Sequence, residues 1–172
     1  MDSTTNLIGA LSLAVSDRIN AHMKEVLNRS GESAAAIIFL GYTPGLTVEI
    51  LRQVLSLSHP GTVRLIDRLS EDGLVERRKA SDGRAVSLYL TRKGSSLRTK
   101  LMNSRNELLE SALKGLTNSE RFTLGQLISK VLAELPETEL DKHHICRHCS
   151  VSICGENCPI PGRAHILEPY RV

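Results

Sequence analysis

The 172-residue chain has no tryptophan and only five other aromatic residues, scattered from Phe39 to Tyr170. So dispersed a set offers no stacking platform of the kind single-stranded nucleic acid needs. No apolar run approaches the roughly 18 residues of a membrane helix; the longest candidate is Ala34 to Leu40. The opening MDSTTNLIG lacks a basic region followed by an apolar core, so no export signal is expected. A cytoplasmic, nucleoid-associated bacterial protein is the expectation. Also missing are a Ser-His-Asp set, a phosphate loop and a dinucleotide fingerprint, which leaves an enzyme without a supporting constellation. Cysteine does not occur before position 146.

What is present is an ordinary globular composition, 41% hydrophobic and 24% charged, long enough for one compact domain with an appendage. The net charge of +3 says little, but its distribution says more. Between Gly61 and Lys100 stand ten Lys or Arg against five Asp or Glu, a local +5 that leaves −2 for the remainder. A basic stripe in a near-neutral protein suits an anionic partner such as DNA. A merely solvated charged face would read the same way on charge alone.

Helical spacing recurs from Leu7 to Leu27, through Leu11, Val15, Ile19, Met23 and Val26. Ser30-Gly31-Glu32 breaks it, and Ser33 to Gly41 reads as a short buried helix. After the turn Tyr42-Thr43-Pro44-Gly45, Thr47 can cap a helix bearing Val48, Leu51, Val54 and Leu55. Ser58 caps the next, with Pro60 tolerated in its first turn and Gly73 at its end. That helix carries Thr62, Leu65, Ile66 and Leu69 on one face, and Arg64, Asp67, Arg68 and Glu71 on the other. The period then alternates: Leu74 to Ala80 and Arg84 to Leu90 read as strands joined by Ser81-Asp82-Gly83. A long helix capped by Thr91 reaches about Lys114, a rod of roughly 35 Å. A capping box, Thr117 to Glu120, opens a last amphipathic helix that Pro136 stops.

Helix, turn, helix and basic hairpin is the order of a winged helix-turn-helix, whose recognition helix (about 58–72) enters a major groove. Its wing (about 74–90) reaches the adjacent minor groove. The fold class is therefore mainly α with a small β-hairpin wing.

At Arg64-Leu65-Ile66-Asp67-Arg68-Leu69, Gly73-Leu74-Val75-Glu76-Arg77, Asp82-Gly83-Arg84 and Leu90-Thr91-Arg92-Lys93-Gly94 the sequence resembles the MarR family of regulators. The resemblance covers roughly Leu7 to Leu135. It implies a regulator, a repressor in the first instance, that binds double-stranded DNA on a near-palindromic operator as a homodimer formed by its N- and C-terminal helices. It places Ser58, His59, Gly61, Thr62, Arg64 and Arg68 at or near DNA. Arg84, held by Asp82, would enter the minor groove from a wing made basic by Arg77, Arg78 and Lys79. Gly61 and Val63 stand where many relatives carry a hydroxyl or a bulkier polar group, so the bases read do not carry over. A small-molecule effector is also implied.

From Pro136 the character changes, and 136–172 is expected as a separate tail behind a 1–135 domain. All four cysteines fall there, as Cys146-x2-Cys149-x4-Cys154-x3-Cys158. In a cytoplasmic protein such clustering points to a metal site, zinc first and an iron–sulfur cluster as the alternative, with metal-free redox thiols a third reading. His143, His144, His148 and His165 are substitute ligands, though each reads more simply as exposed or supporting. A metal or redox effector could act here, or the tail could serve only structure. The rival to the regulator is an interaction or metal-binding module that has lost DNA binding.

Overall fold

The computed structural model describes residues 2–28, 31–79 and 86–160. Helix α1 (Ser3–Leu27) begins four residues before the expected Leu7, because Asp2 caps it by accepting from the Thr5 amide. Asn28 ends it in a left-handed conformation, a role asparagine tolerates. Helix α2 (Gly31–Leu40) is buried from Ser33 to Leu40. An all-apolar helix has no outward face, so it must sit at the centre, and α1 and α5 pack on it.

A three-stranded antiparallel sheet follows the order β1-β3-β2, with β1 Leu46–Thr47, β2 Val75–Lys79 and β3 Val86–Leu90. Leu46 pairs with Leu88, Val75 with Leu90 and Lys79 with Val86. Both wing strands are shorter than expected among the described residues. The hairpin tip lies outside the described residues, with Asp82 and Arg84 in it. The two-residue β1 was not foreseen.

Between β1 and β2 lie α3 (Val48–Leu55) and α4 (His59–Glu71). Leu51, Val54, Ile66 and Leu69 meet Leu88 and Leu101 in one core with no exposure to speak of. Each such side chain contributes about 1.5–3 kcal/mol by leaving water. Helix α5 (Arg92–Ala112) is stapled to the end of α4: Thr91 Oγ1 donates to Gly73 O at 2.7 Å, and Lys93 Nζ to Asp72 O at 2.7 Å. Gly94 makes this closeness available, since a Cβ there would lie 2.1 Å from Leu74 O.

Helix α6 (Asn118–Glu134) opens with the expected capping box, Thr117 and Glu120 bonding reciprocally. Arg121 ties it back to α5 through Glu110 and Leu113 O, at 2.7 and 3.1 Å. No α6 residue is buried. The tail opens with two helices that the sequence reading lacked, α7 (Glu139–Cys146) and α8 (Val151–Cys154), then a short 3-10 turn (Gly155–Asn157). Thr138 and Asp141 form a capping box for α7, with Glu139 and Asp141 in its first turn. Helix α7 packs on α3.

Candidate nucleic-acid interface

Helix α4 owes its start to Ser58, whose hydroxyl accepts from the Gly61 amide at 3.2 Å. Gly61 suits that cap, because a Cβ there would stand 3.0 Å from Ser58 Oγ. The inward face of α4 is Thr62, Leu65, Ile66 and Leu69. Thr62 corrects the site expected from sequence: its side chain is fully buried and its hydroxyl donates to Ser58 O at 3.1 Å, so it cannot reach a base. Gly61, Arg64 and Arg68 follow helical spacing on the outer face, and both arginines are exposed. Among the described residues neither guanidinium enters an ion pair or hydrogen bond, which leaves both forks available to an outside acceptor. His59, at the exposed N-terminal end, lies 3.9 Å from Glu49 Oε2. Glu49 is drawn below the usual carboxylate range chiefly by its hydrogen bond with Arg52.

The wing base is ordered by contacts the sequence reading did not name. Arg77 donates to Asp67 of α4 at 2.6 Å, joining β2 to the recognition helix. Arg78 pairs with Glu76 and lies over the Tyr89 ring, 4.4 Å from its centroid. The pairing register supplied the missing signal: Glu76 is opposite Tyr89, and Arg78 is one step along the same face. Lys79 is exposed. Arg64 and Arg68 on α4 and Arg78 and Lys79 on β2 are thus exposed cations on two elements that Arg77 ties together. A groove of about 550 Å³ is lined by Leu74, Leu97, Ser96, Arg92, Lys93 and Lys100.

The fold has counterparts among known proteins. Residues 27–85 match the model of the MarR family. The transcriptional repressor MprA of Escherichia coli is 30% identical over 88 residues, 51% of this chain and 50% of that protein. The HTH-type transcriptional regulator PetP of Rhodobacter capsulatus is 36% identical over 80 residues, 46% of this chain and 48% of that one. The chain thus spans about half the length of the curated relatives it matches. The crystal structure of a mutant MarR from Escherichia coli superposes with a TM-score of 0.67 at 25% identity, covering 77% of this chain and 98% of that one. The winged-helix segment is similar to the MarR family in sequence and fold. A MepR mutant of Staphylococcus aureus bound to oligodeoxyribonucleotide shares the MarR-type fold, with a TM-score of 0.58 at 19% identity, covering 79% of this chain and all of that one.

The tail lies outside the segment that matches the MarR family model. Cys146 is buried at the end of α7, and the Cys149 amide donates to Cys146 O at 2.9 Å, closing a turn that carries the first two thiols. Cys154 ends α8 and Cys158 follows the 3-10 turn. Among the described residues no three His, Cys, Asp or Glu side chains are gathered as a metal ion requires. Of the four histidines considered as ligands, His165 lies outside the described residues. His143 is buried edge-on to Phe39, with ring centroids 5.8 Å apart. Burial, reinforced by Arg147, Arg105 and His144, pushes His148 down to about 4, so its ring is neutral near pH 7.

Proposed function

We propose that this protein is a transcription regulator that binds double-stranded DNA as a homodimer, a repressor on a near-palindromic operator. The observation that carries the reading is the pair Arg64 and Arg68, exposed and unpaired one helical turn apart on α4, with the wing tied to the same helix through Asp67 and Arg77. Two hydrogen bonds from a guanidinium can identify a guanine edge in the major groove. MarR-family regulators are not enzymes, in keeping with the expectation from sequence.

Dimerisation is supported by apolar surface with no cover in one chain. Leu7, Leu11 and Leu13 of α1 and Phe122, Leu127, Val131 and Leu135 on or just beyond α6 are exposed, Leu13 and Phe122 each to 68%. A twofold dimer would present two α4 helices to successive major grooves roughly 34 Å apart. The groove above Leu74 and Leu97, rimmed by three cations, suits a small anionic effector. No described helix is long and apolar enough to cross a membrane.

The cofactor in this reading is a metal held by Cys146, Cys149, Cys154 and Cys158, zinc or alternatively an iron–sulfur cluster. Donor chemistry supports it: four thiols fall within thirteen residues, two of them on one closed turn. Coordination would bring the second pair onto the first. Selection of duplexes from a random pool, with metal analysis of anaerobically purified protein, tests both parts. Recovery of an inverted repeat supports the regulator, and failure to enrich any duplex removes it. Neither zinc nor iron, with four promptly reactive thiols, removes the metal.

A further inference from the structure

The packing of α7 makes the tail part of the DNA-reading head. Helix α7 lies against α3, the helix before the recognition helix. His144 Nδ1 stands 2.9 Å from Val54 O and 3.4 Å from Ser56 Oγ. Val54 lies in the last turn of α3, where carbonyls have no partner within their own helix, so the histidine N–H donates to it. Ser56 holds a left-handed conformation at φ 53°, an uncommon one for a residue with a side chain. Two residues later Ser58 caps α4. One imidazole donor therefore reaches the pivot between the two helices of the helix-turn-helix.

We propose that His144 is a positioning residue for DNA reading. Helix α7 acts as a latch that caps α3 from outside and holds the turn Ser56-Leu57-Ser58, and with it the recognition helix. Cysteine coordination would keep the latch seated, because Cys146 lies two residues beyond His144 on α7 and the Cys149 amide is bonded back to Cys146. This regulatory step rests on the DNA-binding and metal readings above.

The test compares the full-length wild type with H144A and H144N, using a duplex selected by the wild type and hydrogen exchange at residues 54–62. Asparagine offers an N–H close to the place of Nδ1 but has no second ring nitrogen for a metal. In H144A, exchange through the turn should rise and duplex affinity should fall, each about fivefold, the size expected of one lost hydrogen bond. H144N should restore both, and sedimentation should be the same for all three. Zinc chelation of the wild type should reproduce the H144A result and add nothing to H144A itself. Unchanged exchange and affinity in H144A overturn the latch, as does failure of H144N to recover them. An effect of H144A without an effect of chelation keeps the latch and removes the metal from it. If no duplex is selected, the DNA reading fails and exchange alone decides the latch.

Discussion

Asp67 of the recognition helix and Arg77 of the wing strand meet at 2.6 Å, a carboxylate and a guanidinium ten residues apart on different elements. Both are partly exposed, and pairs of that kind contribute only about 0.2–1 kcal/mol to folding. The pair's importance is orientation. D67A should leave the melting temperature nearly unchanged yet weaken operator binding, although it removes a negative charge from a DNA-facing surface. Fluorescence titration at fixed salt decides the matter by sign: tighter binding would mean that Asp67 acts only by repulsion.

Arg64 and Arg68 should behave differently from Lys79. Loss of a guanidinium that reads a base costs about 1–3 kcal/mol and relaxes preference at one position, whereas loss of a phosphate contact lowers affinity evenly and reduces the salt slope by about one. R68A is therefore expected to change the selected sequence and K79A to change the salt dependence. Identical selected sequences from R68A and the wild type would move Arg68 to the phosphate class. Thr62, turned inward, should affect stability and leave the selected sequence alone.

Gly94 should tolerate nothing larger. Its missing Cβ would stand 2.1 Å from the Leu74 carbonyl, a backbone atom that cannot rotate away. G94A should destabilise the fold by about 1–3 kcal/mol, the usual range for overpacking, and calorimetry would show it as a lowered midpoint. A midpoint equal to the wild type would mean that α5 can shift on the wing without loss.

Helix starts were the most legible feature of the sequence, because a cap is a local bond between a side chain and an amide a few residues on. Thr47, Ser58, Thr91 and Thr117 all cap where the sequence places them. Elements made by distant partners were not legible. Strand β1 exists only because β3 lies beside it. Helix α7 was hidden by its cysteines and histidines, although Thr138 and Asp141 spell a capping box. Thr62 carried two contradictory assignments, and its place in the Leu65, Ile66 and Leu69 stripe was the sounder one. The Asp67 to Arg77 tie needed the relative placement of helix and wing, which spacing alone does not give.

The exposed face of α6 and α1 should respond to charge. F122D with L13D places carboxylates on the surface assigned to the partner, and burying them unpaired would cost several kcal/mol. Sedimentation should show the wild type as a dimer and the double variant as a monomer at micromolar concentration. A wild-type monomer at that concentration would end the homodimer reading.

That α6 buries none of its residues within one chain makes the amount of protein a structural variable. A helix of its length on its own is marginal in water. Its persistence follows mass action, so the melting midpoint should climb with protein concentration. In a cell holding few copies, newly made chains would carry an unfinished last helix until a second copy arrived. Scarcity would then silence the regulator without any ligand at all.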